Sequence, residues 1–273
     1  MAAVSGARSG TFIATKEHRR FVEFADAVRK NRYIGLCYGA AGVGKTLSGQ
    51  RYARWDMAES LFDTWGPRAP SDAKVYAALA QSRTIFYTPV VACSLRRLRD
   101  DIVRLSVRVD ACIGEHLGGD RMETGFSYGL AELLIVDEAE RLSTAGLEHL
   151  RDLFDRTGIG VILIGMPGIE KRLSRYPQLY SRIGFAHHYR PLQGNELSFA
   201  LTRHWRQLGL TLDDADFTDA QAITSIARMT GGNFRLLHRL FVQIERILKI
   251  NSLSVITDDV VEAARRTLVI GAV

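Results

Sequence analysis

A glycine-rich run near the start of the chain has the residue types and spacing of a phosphate-binding loop. It matches G-x-x-x-x-G-K-S/T at every fixed position, and it consists of Gly39, Ala40, Ala41, Gly42, Val43, Gly44, Lys45 and Thr46. Residues 33–38 predict a strand before it, and residues 45–57 predict a helix after it. The glycines let backbone N–H groups point at a polyphosphate, and the positive end of the helix strengthens that field. The run therefore predicts a nucleoside triphosphate site, the alternative being a plain glycine turn before a helix.

The side chains of this run have distinct expected roles with ATP and Mg²⁺. Lys45 would reach the β- and γ-phosphates, and the Thr46 hydroxyl would take a coordination position on Mg²⁺. Leu47 would add to the nucleotide contacts of the run.

An apolar run that ends in two acids supplies the other half of this predicted site. Residues 133–136 are Leu, Leu, Ile and Val, which is typical of a strand buried on both faces of a parallel sheet. Asp137 and Glu138 follow at the carboxyl edge, where such sheets bind ligands. We expect Asp137 to hold Mg²⁺ through its water shell and Glu138 to polarise the water that attacks the γ-phosphate. In the alternative, both acids only cap the helix that follows from Glu140.

The composition indicates a full α/β domain with a smaller domain beside it, since the chain has 273 residues of which 47% are hydrophobic. No run approaches the ~20 apolar residues that span a bilayer, and residues 1–10 lack the apolar core of a signal peptide. Cys37, Cys93 and Cys112 are odd in number, and their spacing suits neither zinc nor a disulfide framework. We expect a cytoplasmic protein without membrane contact.

Positive charge is concentrated in one predicted helix. The net charge is +6, and 30 of the 36 basic residues are arginine, which is compatible with a polyanionic partner. Apolar residues at spacings of three and four predict an amphipathic helix: Leu95, Leu98, Ile102 and Leu105. Its outer face would carry Arg96, Arg97, Arg99, Arg104 and Arg108, with Arg121 further on in a glycine-rich loop at 113–129. The candidate contacts to duplex DNA are Arg97, Arg104 and Arg121, the alternative being a solvated helix face.

Strands and helices alternate up to residue 190, after which the pattern is helical. Strands are expected at 33–38, 85–92, 133–136, 160–165 and 185–189, and final helices at 194–208, 218–230, 234–249 and 257–268. The expected fold class is α/β, with a five-stranded parallel sheet in a nucleotide-binding domain at 1–190 and a small all-helical lid at 191–273.

This order of motifs and elements resembles that of the AAA+ ATPases, which have a P-loop core followed by a helical lid. Their arginine finger points at the γ-phosphate of the neighbouring subunit. The resemblance assigns that role to Arg182, with Arg175 as the nearby rival. It also assigns the sensor-2 arginine, which opens a lid helix in this family, to Arg235. A guanidinium suits both roles because it offers a planar, permanently charged fork to phosphate oxygens.

One position departs from the family pattern. Strand four should end in a polar sensor residue, but here it ends in Gly165, Met166 and Pro167. A methionine side chain cannot usefully hydrogen-bond a water or a phosphate, which suggests slow or partner-dependent hydrolysis.

The resemblance narrows to the transposition regulators TnsC, TniB and phage Mu B protein. Residues 134–142 (LIVDEAERL), 161–165 (VILIG), the Ser181-Arg182 region and 11–21 (TFIATKEHRRF) carry it. It implies an ATPase that forms helical filaments or rings on duplex DNA without sequence preference. The implied partners are a transposase, which it recruits or activates, and possibly a target-selection protein.

Other functional classes share most of these motifs. An ExeA-like assembly or secretion ATPase, or a helicase loader, would act on protein partners, and its positive charge would be incidental. A small-molecule kinase needs neither the finger nor the lid, and it usually lacks a glutamate beside the aspartate. Dependence of the ATPase activity on nucleic acid separates a transposition regulator from an ATPase that acts on proteins.

Overall fold

A computed structural model describes residues 12–66, 69–118, 129–213 and 215–268 of the chain. The chain forms two compact units. The first is Arg20–Arg190, and the second combines the described residues of Met1–Arg19 and Pro191–Val273. Residues 12–19 were expected in the first domain but group with the residues after 190. The assignment of the units as nucleotide-binding domain and lid stays a prediction.

The first unit is built on a parallel sheet of five strands in the order β2-β3-β4-β1-β5. The strands are β1 Ile34–Tyr38, β2 Thr84–Tyr87, β3 Leu133–Val136, β4 Gly160–Gly165 and β5 Ile183–His188. β2, β3 and β4 are buried along their whole length, as continuous apolar runs require. The expected α/β fold class with a five-stranded parallel sheet is confirmed.

Helices surround this sheet. They are α1 Lys16–Asn31, α2 Lys45–Tyr52, α3 Trp55–Asp63, α4 Ala73–Ser82, α5 Leu95–His116, α6 Thr144–Thr157, α7 Ile169–Leu173 and α8 Pro177–Tyr180. Short 3₁₀ turns lie at Pro70–Asp72 and Ala139–Arg141. Gly49 lets α2 approach the sheet closely, because a Cβ there would lie 2.9 Å from the Phe86 ring and 3.1 Å from Ile164.

Three expected boundaries were wrong for local reasons. The helix expected at 45–57 breaks into α2 and α3 because Arg54 adopts the left-handed region, with φ 57°. The strand expected at 85–92 ends at Tyr87, two residues before Pro89, which cannot donate to a ladder. The loop expected from residue 113 begins later, since α5 continues to His116.

The second unit is helical after residue 190, with α9 Asn195–Gln207, α10 Phe217–Thr230, α11 Phe234–Asn251 and α12 Asp258–Arg266. Three of these helices begin at side-chain caps, because Asp216, Asn233 and Thr257 accept hydrogen bonds from backbone N–H groups of the first turn. The apolar faces meet in a core that includes Trp205 and Phe241.

Two expectations concern the chain as a whole. Among the described helices, none combines the length and apolarity needed to cross a membrane. Cys37, Cys93 and Cys112 are buried thiols, and none of the three forms a disulfide.

His204 is a buried titratable group in the core of the second unit. Its ring stacks on Phe241 with centroids 4.4 Å apart and planes 11° apart. Burial, together with the nearby His238 and Arg203, lowers the pKa of His204 to about 4.

We expect the free energy of unfolding to fall as the pH drops from about 6.5 to about 4. In this window the unfolded chain binds a proton at His204 and the folded chain does not. The loss should level off below pH 4 at on the order of 3 kcal/mol. Urea unfolding across this pH range measures it. In a His204→Phe variant, this part of the pH dependence of the unfolding free energy should be lost. A variant of the exposed His116, His116→Gln, should keep it. Equal slopes for His204→Phe and the parent chain would contradict the assignment.

Candidate nucleotide-binding site

The glycine-rich run forms the loop between β1 and α2, and at two of its positions the backbone adopts a conformation that favours glycine. Gly42 and Gly44 have φ 79° and 111°, which are strained for residues with a Cβ. Gly39 is required for a different reason, because a Cβ at this position would overlap the backbone carbonyl oxygen of Tyr189. The loop backbone is therefore fixed by steric constraints before any ligand binds.

Lys45 places a positive charge inside this loop. Its side chain is buried, and its ammonium donates hydrogen bonds to the carbonyl oxygens of Gly39 at 2.6 Å and Ala40 at 2.8 Å. The ammonium group of Lys45 therefore lies next to the backbone of the loop that the sequence pattern assigns to phosphate binding.

Thr46 and Asp137, the two expected Mg²⁺ ligands, are brought together. The Thr46 hydroxyl hydrogen-bonds the Asp137 carboxylate, which is almost fully buried. Burial raises the pKa of Asp137, while the hydrogen bond from Thr46 and the charge of Lys45 act in the opposite direction. These oxygens fit Mg²⁺, which prefers oxygen ligands and binds through one or two carboxylates plus substrate phosphates. Among the described residues, no group of three or more His, Cys, Asp or Glu is placed to hold a metal ion by itself.

Glu138 follows Asp137 but points at a different partner. Its backbone is left-handed, with φ 48° and ψ 46°, and its carboxylate forms an ion pair with Arg141. Arg141 also donates to the carbonyl oxygen of Pro89 at 2.8 Å. The residue expected to polarise water is therefore tied to the segment that follows β2.

Tyr189 is a contact of the loop that sequence reasoning missed. It is buried, its N–H donates to Tyr38 O at 2.8 Å, and its hydroxyl lies 2.8 Å from Ser48 Oγ on α2. It thus braces the loop from outside and holds the start of α2. The sequence showed only an aromatic residue at the end of a strand, and nothing local indicated what it would contact.

The arginines assigned by resemblance lie in different surroundings. Arg182 forms a bidentate ion pair with Asp155 of α6, at 2.6 and 2.9 Å. Arg175 is exposed, and its guanidinium makes no hydrogen bond or ion pair with any part of the chain that the structure describes. Arg235 is exposed in the first turn of α11. The roles of all three stay predictions.

The basic helix is confirmed as a helix, but two of its arginines share one acid. Arg97 Nε and an Arg104 guanidinium nitrogen donate to the buried Asp101 carboxylate at 2.8 and 2.6 Å. Arg96, in contrast, has a side chain that is 94% exposed. Arg121, the remaining candidate DNA contact, lies outside the described residues.

Comparison with known proteins decides the family. Residues 28–173, more than half of the chain, match a family model described as an AAA domain. A Staphylococcus aureus protein described as a potential ATP-binding protein is 45% identical over 271 residues, covering 97% of this chain and 98% of that protein. The chain belongs to the AAA family. It is an ATP-binding and ATP-hydrolysing enzyme, as the sequence predicted.

This AAA ATPase has a second relative with a more specific description. The Mu-like prophage FluMu DNA transposition protein B of Haemophilus influenzae is 25% identical over 237 residues, covering 84% of this chain and 71% of that protein.

Solved structures agree with the fold of this AAA ATPase. The Thermotoga maritima RuvB Holliday junction branch migration motor superposes with a TM-score of 0.55 at 17% identity, covering 93% of this chain and 69% of that chain. The Aeropyrum pernix ORC2 protein superposes with a TM-score of 0.51 at 14% identity, covering 95% and 71%. Likeness at these identities supports the fold alone.

We expect Lys45→Ala to abolish ATP binding, because the phosphates lose the ammonium held inside the loop. Glu138→Gln should bind ATP as the parent does but lower turnover by roughly 100-fold or more, because the water loses its carboxylate. Binding of a fluorescent ATP analogue and release of phosphate measure the two effects.

Exposed residues of the same unit provide matched controls for these variants. Lys74→Ala and Glu23→Gln should leave both quantities unchanged. The site assignment fails if Glu138→Gln hydrolyses ATP at the parent rate.

Proposed function

We propose that this AAA ATPase regulates DNA transposition by oligomerising on duplex DNA and recruiting or activating a transposase at the target site. The match to the FluMu transposition protein carries this proposal. That match spans 237 residues, whereas the general AAA match ends at residue 173, so the similarity extends beyond the phosphate-binding core.

The site supports ATP hydrolysis with Mg²⁺ as follows. Lys45 and the loop N–H groups would bind the phosphates, Thr46 and Asp137 would hold the metal ion, and Glu138 would polarise the water. The Mg²⁺ ion would neutralise charge that develops on the phosphate oxygens. Pairing of Glu138 with Arg141 supports slow basal hydrolysis, since the carboxylate must leave an opposite charge before it can act on water.

Assembly would couple the subunits through an arginine finger. A finger that acts on the neighbouring subunit requires head-to-tail contacts, and such contacts give helices when they do not close into a ring. The family resemblance assigns the finger to Arg182. Its guanidinium would leave Asp155 and bind the γ-phosphate of the neighbouring subunit. Arg175 remains the rival because it is exposed and needs to break no ion pair.

With a non-hydrolysable ATP analogue and duplex DNA, we expect long oligomers in negative-stain microscopy. Arg182→Ala should weaken assembly or hydrolysis, because the γ-phosphate loses a charge from the next subunit. Mixing Arg182→Ala with Lys45→Ala protein should restore part of the turnover at mixed interfaces. A protein that stays monomeric with ATP and DNA at micromolar concentration would rule out this proposal.

Two further arginine variants make the finger assignment specific. Arg156→Ala removes a surface arginine of α6 that pairs with Asp152, and it should behave as the parent does. Loss of turnover in Arg175→Ala but not in Arg182→Ala would move the finger to Arg175.

Binding to DNA would use the outer face of α5. A basic helix repeated along a filament follows the phosphate backbone, which gives salt-sensitive affinity without sequence preference. We propose Arg97, Arg104 and Arg121 as contacts. The shared Asp101 lowers the net charge that Arg97 and Arg104 present, but a guanidinium can bind a carboxylate and a phosphate at once because it has five donors.

We expect each of Arg97→Ala, Arg104→Ala and Arg121→Ala to reduce the salt slope of binding to random duplex by roughly one unit, because one phosphate contact is lost. The control is Arg32→Ala, which removes an exposed arginine just before β1 that is not part of α5. Duplex DNA should also stimulate ATP turnover of the parent chain. If the salt slope is unchanged in all three variants, DNA is held elsewhere on the protein. If duplex DNA does not change the rate of ATP turnover, an ATPase that acts on proteins is favoured.

A further inference from the structure

The carboxyl end of β4 lacks the polar side chain that could hold the attacking water. Gly165 has no side chain, Met166 offers only a thioether, and Pro167 has no N–H. This position nevertheless borders the phosphate loop, since the Gly39 N–H donates to Gly165 O at 3.4 Å. Gly165 also pairs in register with Tyr38, the residue before Gly39.

A carboxylate from another element lies at this position. A Cβ built on Gly165 would fall 3.0 Å from Glu140 Oε2 and would also overlap Ile169. Gly165 therefore lets the Glu140 side chain lie directly against the end of β4. Glu140 itself follows β3, the strand that pairs with β4.

The backbone of Glu140 is held while its carboxylate is not. Arg172 of α7 donates to Glu140 O at 2.7 Å and also to Leu142 O, which clamps the turn Ala139–Arg141. The Glu140 carboxylate accepts no hydrogen bond and forms no ion pair with any residue that the structure describes. Glu138, in contrast, is ion-paired with Arg141. The acid beside β4 is thus the one already available to a water molecule.

We propose that Glu140 is a further catalytic residue, whose carboxylate holds the attacking water beside the end of β4 where Met166 cannot. The inference rests on the nucleotide site proposed above. In the step, the water oxygen bonds to the γ-phosphorus as the bond from that phosphorus to the β–γ bridging oxygen breaks. The bridging oxygen keeps the electron pair and leaves with ADP. The carboxylate accepts a hydrogen bond from the water and so orients it, and the proton that the water gives up passes to solvent as inorganic phosphate forms.

The test compares Glu140→Gln and Glu140→Ala with the parent chain. Both variants should fold and bind a fluorescent ATP analogue with a dissociation constant within about twofold of the parent, because the carboxylate supports no other residue. Turnover should fall by roughly tenfold or more, since a positioned acceptor for the water is lost. Glu23→Gln, an exposed glutamate of α1, is the charge control and should turn over as the parent does.

A rescue variant separates this role from a general charge effect. Met166→Asn in the Glu140→Ala background should recover at least part of the lost turnover, because an amide oxygen at the end of β4 can accept the same hydrogen bond. Met166→Asn in the parent should gain little.

Distinct outcomes overturn the proposal. Parent-like turnover in Glu140→Ala, or absence of rescue by Met166→Asn, would exclude Glu140 from the reaction. Loss of ATP affinity together with turnover would make it a ligand of the metal ion or nucleotide instead. If Lys45→Ala binds and hydrolyses ATP as the parent does, the nucleotide site itself is wrong, and that failure is distinguishable from failure of the Glu140 assignment.

Discussion

The parallel register of the central strands is the constraint on which the whole site depends. Tyr38 lies in register with Gly165 across β1 and β4, and Val136 lies in register with Leu163 across β3 and β4. Because all strands run in one direction, their carboxyl ends meet at one edge of the sheet. The glycine loop, the acids after β3 and the end of β4 are therefore placed by backbone hydrogen bonds. Side chains at this edge can change the chemistry without moving the site.

Close packing then fixes the loop within this frame. Tyr189 leaves no room for a Cβ at Gly39, and its hydroxyl pairs with Ser48 in the first turns of α2. A ligand that binds this loop meets backbone N–H groups that are already oriented, so little ordering entropy is lost on binding. Lys45 and Asp137 are both buried at this site, and burial raises the pKa of Asp137 while its hydrogen bond with Thr46 and the charge of Lys45 act in the opposite direction.

Carboxylates organise much of the arginine charge of the first unit. Asp101 binds two arginines of α5, Asp155 binds Arg182 together with Arg151, and Glu138 binds Arg141. The number of arginines in the sequence therefore overstates the positive charge available to a polyanion, because the net charge of +6 already includes these carboxylates. Each of these arginines would exchange or share a carboxylate when it contacts phosphate, which a guanidinium can do because both anions fit its planar fork.

The sequence by itself determined the features that follow from local rules. The spacing from Gly39 to Thr46, the apolar run before Asp137 and the helical periodicity after residue 190 are short-range patterns, and together they predicted the fold class and the ATP-binding family. Boundaries were wrong where one residue overrode the pattern, as Arg54 and Pro89 did. Only the tertiary structure decided which distant groups meet: Tyr189 with Gly39, Arg182 with Asp155, and Glu140 with Gly165. The physical reason is that periodicity records which face of an element is buried, whereas the partner of a side chain depends on how separate elements pack.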